Sequence, residues 1–288
     1  MAVPRKGVTL SLAMGWLQGA GLPVGLVDKG RFKVDEVSLS GPPDIVTVRA
    51  RSADFTDAFR TRRERSFVAQ SLGSILATIA ADNGLTARVD ATLAARTVPA
   101  LGHTARSDAA LLALLGRRYD AVATVKAGFL ILAPIGKGKT ASGAAIPAET
   151  IDRSQTGSFD YKSEDRGNYN GCTAVWHDKP SASRHSVTVG DGGTGSPKRL
   201  RRVYHNETDA RAAAEAENNR TRRGKTTMNI PLPLGRPDLY PDRPITLTGW
   251  KTDITGHAWL LAKASHTMDG QGGLSSRLTL ETSNPLTP

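Results

Sequence analysis

The chain is predicted to be α+β and mainly β, on three observations. Apolar and polar residues alternate through residues 7–57, the period of half-buried strands. Helical stripes are few and short, and they fall in the middle of the chain. Turn chemistry is dense, with 29 Gly and 16 Pro among 288 residues, which favours many short elements over long helices. At this length about two domains are expected, with enough chain to bury a sizeable core.

The elements follow in order. Val8, Leu10 and Leu12 alternate with polar or small residues, and Val46, Val48 and Ala50 alternate with Ile45, Thr47 and Arg49. Gly21 to Gly25 and Gly41 to Asp44 supply the turns. Phe32, Val34, Val37 and Leu39 keep a period of two but slip by one at Asp35 and Glu36, which predicts a β-bulge. Leu72, Ile75, Leu76 and Ile79 then form one stripe of a helix, with Asn83-Gly84 as a left-handed stop. Ser107 caps a second helix, with Asp108 in its first turn. That helix buries Leu111, Leu112, Leu114 and Leu115 and is expected to end near Gly116. Ala121 to Val125 and Phe129 to Leu132 form a hairpin across Lys126, Ala127 and Gly128.

Beyond it, residues 133–168 are rich in Gly, Ser, Lys and Asp and read as a long loop or linker. Val175 and Val187 to Val189 lie in short strands separated by Pro180, and a glycine-rich turn follows at 190–195. From about Thr208 to Arg220 runs a helix whose apolar face is only Ala210, Ala213, Ala214 and Ala216. So thin a face must lie close against a sheet or another subunit. Pro231 to Pro244 is extended, and Ile245 begins the last sheet. Ala258 to His266 and Ser275 to Thr282 close it as a hairpin around Asp269 to Gly273.

Composition excludes several classes. An apolar share of 39% and a charged share of 23% read as a soluble globular chain, and no apolar run approaches the roughly 20 residues of a membrane span. Arg5 and Lys6 before Val8 to Leu17 imitate a signal peptide, but Thr9, Ser11 and Gly15 break the apolar stretch and no cleavage site follows. Without export, the Asn206 to Thr208 sequon carries no meaning. Cys172 is the only cysteine, so there is no intramolecular disulfide. The net charge of +11 is clustered at Arg60 to Arg65, Lys198 to Arg202 and Arg220 to Lys225. None of the three is interleaved with aromatics as a single-strand platform would be. They read as solvated faces or as patches that meet an acidic protein.

No arrangement of chemistry-bearing residues stands out. Ala133 to Thr140 ends in the Gly-Lys-Thr of a phosphate loop, but Ala133 occupies the place of the first glycine and Ala141 to Pro147 is a poor helix. Cys172, His177 and His185 fit no zinc spacing, and strand geometry puts Cys172 and His177 on opposite faces. His257 and His266 flank the last apolar strand and read as its ends, and Trp16, Trp176, Trp250 and Trp259 read as core or interface residues. No nucleophile elbow or zinc-protease helix is present. Accordingly no catalytic, cofactor-binding or metal-binding residue is nominated.

Several segments, in matching order and spacing, resemble the late control gene D family, the baseplate hubs of contractile phage tails. They are Lys29 to Glu36, Gly41 to Phe55, Ser71 to Ala80, Gly102 to Leu132, Ala174 to His177, Lys198 to Arg201, the Ala-rich helix and Trp259 to His266. The resemblance implies two barrel-like, tail-tube-related domains with a small inserted α+β unit, as in the hub region of type VI secretion spike proteins. On that basis residues 1–65 form a partial first β-barrel, 66–135 the α+β unit of two helices and a hairpin, and 136–168 a loop or linker. Residues 169–288 form the second β-barrel, with the Ala-rich helix at about 208–220.

The function implied is structural, not enzymatic. A homotrimer would present six barrels and adapt a six-fold tail tube to a three-fold spike. Its implied partners are the tail spike protein, a tail tube or tube-initiator protein and a tape measure protein, with no cofactor, membrane or nucleic acid. Its implied place is the tail baseplate of a phage or prophage particle, assembled in the bacterial host cytoplasm. Two departures stand out. Family members usually carry further strands ahead of the segment that Pro4 to Trp16 resembles, and without them a first barrel would have an unpaired edge. Arg106 also stands where the family more often has an acidic residue. The alternative readings are a basic nucleic-acid-binding protein and a cell-wall-degrading tail enzyme.

Overall fold

The computed structural model describes residues 4–52, 57–164, 169–178, 181–190 and 195–283. Residues 53–55 of the family-like segment, Pro180, and 191–194 of the glycine-rich turn lie outside them. The expected class is found: α+β, mainly β, with a curled half-barrel sheet. The chain divides into two compact units, Met1–Ala113 with Ala123–Ile131, and Leu114–Val122 with Leu132–Pro288.

The first unit opens with an antiparallel meander of β1 (Thr9–Trp16), β2 (Gly25–Ser40) and β3 (Ile45–Ser52), in the order β1-β2-β3. Its register pairs Leu10 with Phe32 and Val34 with Ala50, and it shifts between Val34 and Glu36. Asp35 is the extra residue, so the bulge falls where the slipped period places it. After α1 (Asp57–Arg60) and β4 (Arg62–Ser71) comes α2 (Leu72–Ala81). Ser71 Oγ accepts the Ser74 N–H at 3.1 Å, and Leu72, Ile75, Leu76 and Ile79 are buried. Gly84 takes φ +68°, the left-handed stop expected of it.

Then follow β5 (Thr86–Val89), α3 (Ala91–Ala94), β6 (Thr97–Ser107), α4 (Asp108–Tyr119), β7 (Ala121–Lys126) and β8 (Phe129–Pro134). The division between the units falls within α4, β7 and β8. Ser107 Oγ caps α4 by accepting the Ala110 N–H at 3.2 Å. Contrary to expectation, α4 does not end near Gly116 but runs on through Tyr119, because glycine inside a helix costs only about 1 kcal/mol. The expected hairpin is β7-β8, while β5 beside it and the β4-β6 pair were not predicted. The cluster Arg62 to Arg65 reads as solvated charge, yet it lies in β4, where alternate residues turn inward. Arg65 is largely buried and meets Asp82 at 2.8 Å and Asp108 at 3.5 Å.

The second unit contains β9 (Glu149–Asp152), a 3-10 turn at Arg153–Gln155, β10 (Asp160–Ser163), β11 (Gly171–Asp178), β12 (Ser183–Gly190) and β13 (Lys198–Tyr204). It continues with α5 (Glu207–Gly224), β14 (Thr226–Leu232), β15 (Pro244–Thr248), α6 (Thr252–Thr255), β16 (Trp259–Asp269) and β17 (Gly273–Thr282). Six strands form one sheet in the order β10-β14-β17-β16-β15-β9. The stretch read as a loop or linker therefore supplies both edge strands of this sheet. Their four residues each are too short and polar to carry a periodic signal. Met228, Ile230, Leu232, Leu278, Leu280 and Trp259 alternate inward to form its core.

The second sheet, β12-β11-β13, is covered on one side by α5. Asn206 caps that helix, its Oδ1 accepting the Asp209 N–H at 2.7 Å. Ala210 and Ala214 pack on Cys172, Ala174 and Val187, so the thin alanine face lies against a sheet as its residue sizes require. A Leu280→Ala substitution in the six-stranded sheet is expected to cost about 2–5 kcal/mol, cavity included. Leu26→Ala, at a side chain 77% exposed, should change stability by less than about 0.5 kcal/mol. Urea unfolding followed by circular dichroism distinguishes the two.

Candidate assembly surfaces

The residues weighed for chemistry do not converge. The segment Ala133 to Thr140 leaves β8 into a turn where Gly136 N–H donates to Asp242 Oδ1 at 2.8 Å. Thr140 N–H then donates to Ala144 O at 2.8 Å, and no helix follows to face a phosphate. Cys172 is buried beneath α5, whereas His177 and His185 are exposed. His185 stacks on Trp176 at 4.8 Å, its cross-strand partner. No metal-holding cluster occurs among the described residues, and no helix among them is long and apolar enough to cross a membrane.

His266 Nδ1 and Ser276 Oγ are 2.7 Å apart across the closing hairpin. The four tryptophans differ. Trp259 lies in the core, its Nε1–H donating to Ile254 O at 2.8 Å, and Trp250 packs on the same core. Trp176 packs on the cluster beneath α5, while Trp16 is half-buried.

Strong electrostatics in the second unit are structural. Arg223, in the last turn of α5, donates through both Nη atoms to Asp120 at 2.5 Å and through Nε to Glu281 at 3.0 Å. Burial alone would lower the Arg223 pKa, but the bonds and charge of Asp120, then of Glu281, outweigh it and raise the value. Arg118 and Asp209 make a second buried pair at 2.9 Å. Clustered cations are thus spoken for: Arg223 here, and Lys198 and Arg220 by Glu217 at 2.5 and 2.8 Å. Sequence reasoning could not single these out, because their partners lie up to 103 positions away.

Among the described residues, two open sheet faces have a marked character. Residues paired across a ladder share a face, so Leu10 with Phe32, Val34 with Ala50, Val37 with Val48, and Leu39 with Val46 line one side of the meander. That side is apolar, yet Leu12 is 45% exposed and Leu39 62%. The opposite side carries Glu36 and Arg49, paired at 3.0 Å in water. β1 and β3 each have one neighbour in this sheet. On β12-β11-β13, the side away from α5 is basic, with Arg184, Arg199 and Arg201 around Val175 and Val203. The cluster Lys198 to Arg202 marked part of the basic face, but neither its extent nor the apolar face was marked, because exposure is set by what the rest of the fold covers.

Residues 20–272 match a family model described as phage tail baseplate hub (GPD). The chain is similar to a probable baseplate hub protein of Escherichia phage 186, at 34% identity over 94% of this chain and 78% of that one. The counterpart in Escherichia phage P2 is 33% identical over 96% of this chain and 80% of that one. Among solved structures, a 43 kDa tail protein of prophage MuSo2 from Shewanella oneidensis has a similar fold, with TM-score 0.62 at 14% identity, covering 97% of this chain and 82% of that one. A type VI secretion component of E. coli aligns with TM-score 0.57 at 8% identity, covering 92% of this chain and 64% of that one. At these identities the structural likenesses speak to the fold alone.

Two outcomes test the packing of the second unit. Burial, and then the Glu217 carboxylate, push the Cys172 thiol up to about 11. It should therefore resist iodoacetamide at pH 8 in the folded chain and react fully once unfolded, as mass spectrometry reads. Arg223→Met should cost about 3–5 kcal/mol by leaving Asp120 buried and unpaired. Adding Asp120→Asn should recover part of that loss in urea unfolding.

Proposed function

This chain belongs to the phage tail baseplate hub family, and from that premise we propose that three copies close into a ring joining the tail tube to the central spike. It is a structural component of the tail baseplate, part of the virion, and not an enzyme. The homologues' structural role sets aside the cell-wall-degrading alternative. What is proposed is the finer reading: a homotrimer of a contractile tail, assembled in the host cytoplasm, with a spike protein on one side and a tail tube or tube-initiator protein on the other. A tape measure protein is a further contact in this reading. The β-rich regions 1–65 and 169–288 would supply the barrel-like elements around the α+β unit at 66–135, with β9 and β10 of 136–168 added to the second.

The half-covered apolar face of the β1-β2-β3 meander supports this reading best. Burying one exposed leucine side chain is worth about 1.5–3 kcal/mol, so a face with Leu10, Leu12 and Leu39 in water is poorly explained by an isolated chain. A three-fold ring repeats one head-to-tail contact between two different surfaces of neighbouring copies, burying apolar area and taking up strand edges as it closes. The meander offers both features, an apolar side and two strands with one neighbour each.

Light scattering with multi-angle detection tests the proposal, on the chain alone and mixed with the spike protein. A mass three times 30.6 kDa, or an equimolar complex built on three copies, is expected. Leu12→Glu with Leu39→Glu should return the chain to 30.6 kDa with its circular dichroism unchanged, because both side chains are already exposed. A wild-type chain that stays monomeric with and without the spike overturns the ring.

A further inference from the structure

We propose that the open face of the β12-β11-β13 sheet is a docking surface for an acidic protein segment, one that presents carboxylates around a small apolar contact. This rests on the assembly reading only in taking the occupant to be another protein of the tail.

Cross-strand register makes the face. β11 alternates Cys172, Ala174 and Trp176 toward α5 with Thr173, Val175 and His177 toward solvent. Val175 pairs with Ser186 on β12 and with Val203 on β13. Around them Arg184, Arg199 and Arg201 rim an open depression of about 460 Å³. Val175 at its centre is 8% exposed and Val203 beside it 42%. An apolar centre ringed by arginines is the layout of a protein interface, where arginine anchors are enriched and charges sit at the rim.

The pairing of charges in this unit sharpens the point. Arg118, Lys198, Arg223, Arg236 and Arg243 all meet carboxylates within the unit. Arg184, Arg199 and Arg201 have no such partner among the described residues. Three unneutralised guanidiniums on one short sheet repel each other until an anion arrives, and the guanidinium fork matches a carboxylate with two parallel bonds. A second copy of the same face is a poor occupant, because each chain carries a net charge of +11.

Nucleic acid is disfavoured by the same geometry. Sheets that hold single strands stack bases on aromatic side chains. Here the sheet's own aromatics, Trp176 and Tyr204, pack on the cluster beneath α5 instead. Thr173 and Thr188 hydroxyls, 2.8 Å apart, occupy the exposed side.

The test uses the full chain and two fluorescein-labelled probes in anisotropy titrations: a peptide of about ten residues alternating glutamate with valine, and an oligothymidine of about twelve nucleotides. The peptide should bind with a Kd of about micromolar order at low salt and more tightly than the oligonucleotide. Replacing Arg184, Arg199 and Arg201 together by serine should weaken it by about tenfold or more. Replacing Arg31, Arg62 and Lys126 of the first unit should leave it unchanged. Equal loss in both triple variants, or no peptide binding at all, overturns the proposal in favour of diffuse charge. Tighter oligonucleotide binding, lost with the same three arginines, overturns it in favour of a nucleic-acid face. A chain that scatters as a monomer would sink the ring and leave this assay standing.

Discussion

The guanidinium of Arg223 is the point on which the second unit is organised. It is buried at the end of α5 and held by Asp120 from the turn after α4 and by Glu281 from the last strand. A buried charge without its partners would cost several kcal/mol, so in the folded unit these three groups are brought together. Asp120 reaches its place in a left-handed conformation, φ +50°, a strain that the bidentate bond offsets. Once Arg223 is fixed, the direction of α5 is fixed, and with it the sheet face that the alanines cover.

From there the open face of the second unit is a consequence. α5 can cover only one side of β12-β11-β13, because its apolar stripe is narrow and its outer surface carries Glu207, Arg211 and other exposed charges. The other side of that sheet is left to solvent with its arginines. In the first unit no helix lies on the whole apolar side of the meander, so its ends stay half-exposed. One face is apolar and the other basic, and they call for different occupants: hydrophobic burial favours another copy, while unpaired arginines favour an acidic surface. For a chain whose family is structural, such faces take the place that a catalytic cleft has in an enzyme.

Much of the fold was legible. The slip at Asp35 and Glu36 marked the bulge because a period of two tolerates no extra residue without one. Ser107, Asn83 and Gly84 marked helix ends because capping and left-handed geometry admit few residue types. The alanine helix was legible as one that must lie close against a sheet or another subunit, and the fold places it on a sheet. What escaped were β4 and β6, hidden by arginines that read as solvent-facing, and β9 and β10, four residues each. A strand that short gains its identity from the sheet it joins. The basic clusters read as solvated faces or as patches that meet an acidic protein, but Arg65, Lys198 and Arg223 are paired within the chain, while Arg199 and Arg201 stay open.

By itself the sequence determined the class of fold, the principal strands and helices, the absence of a nominated active site and the likeness to tail hub proteins. Each of these is set by local periodicity, capping chemistry or ordered motifs, which are properties of neighbours along the chain. Tertiary structure alone decided which charges are buried and paired, which strands share a sheet, and which faces are left uncovered. Asp120 and Arg223 stand 103 positions apart, and nothing local to either announces the other. Burial is a property of the whole packed molecule, so the open faces could be located only after the chain had folded.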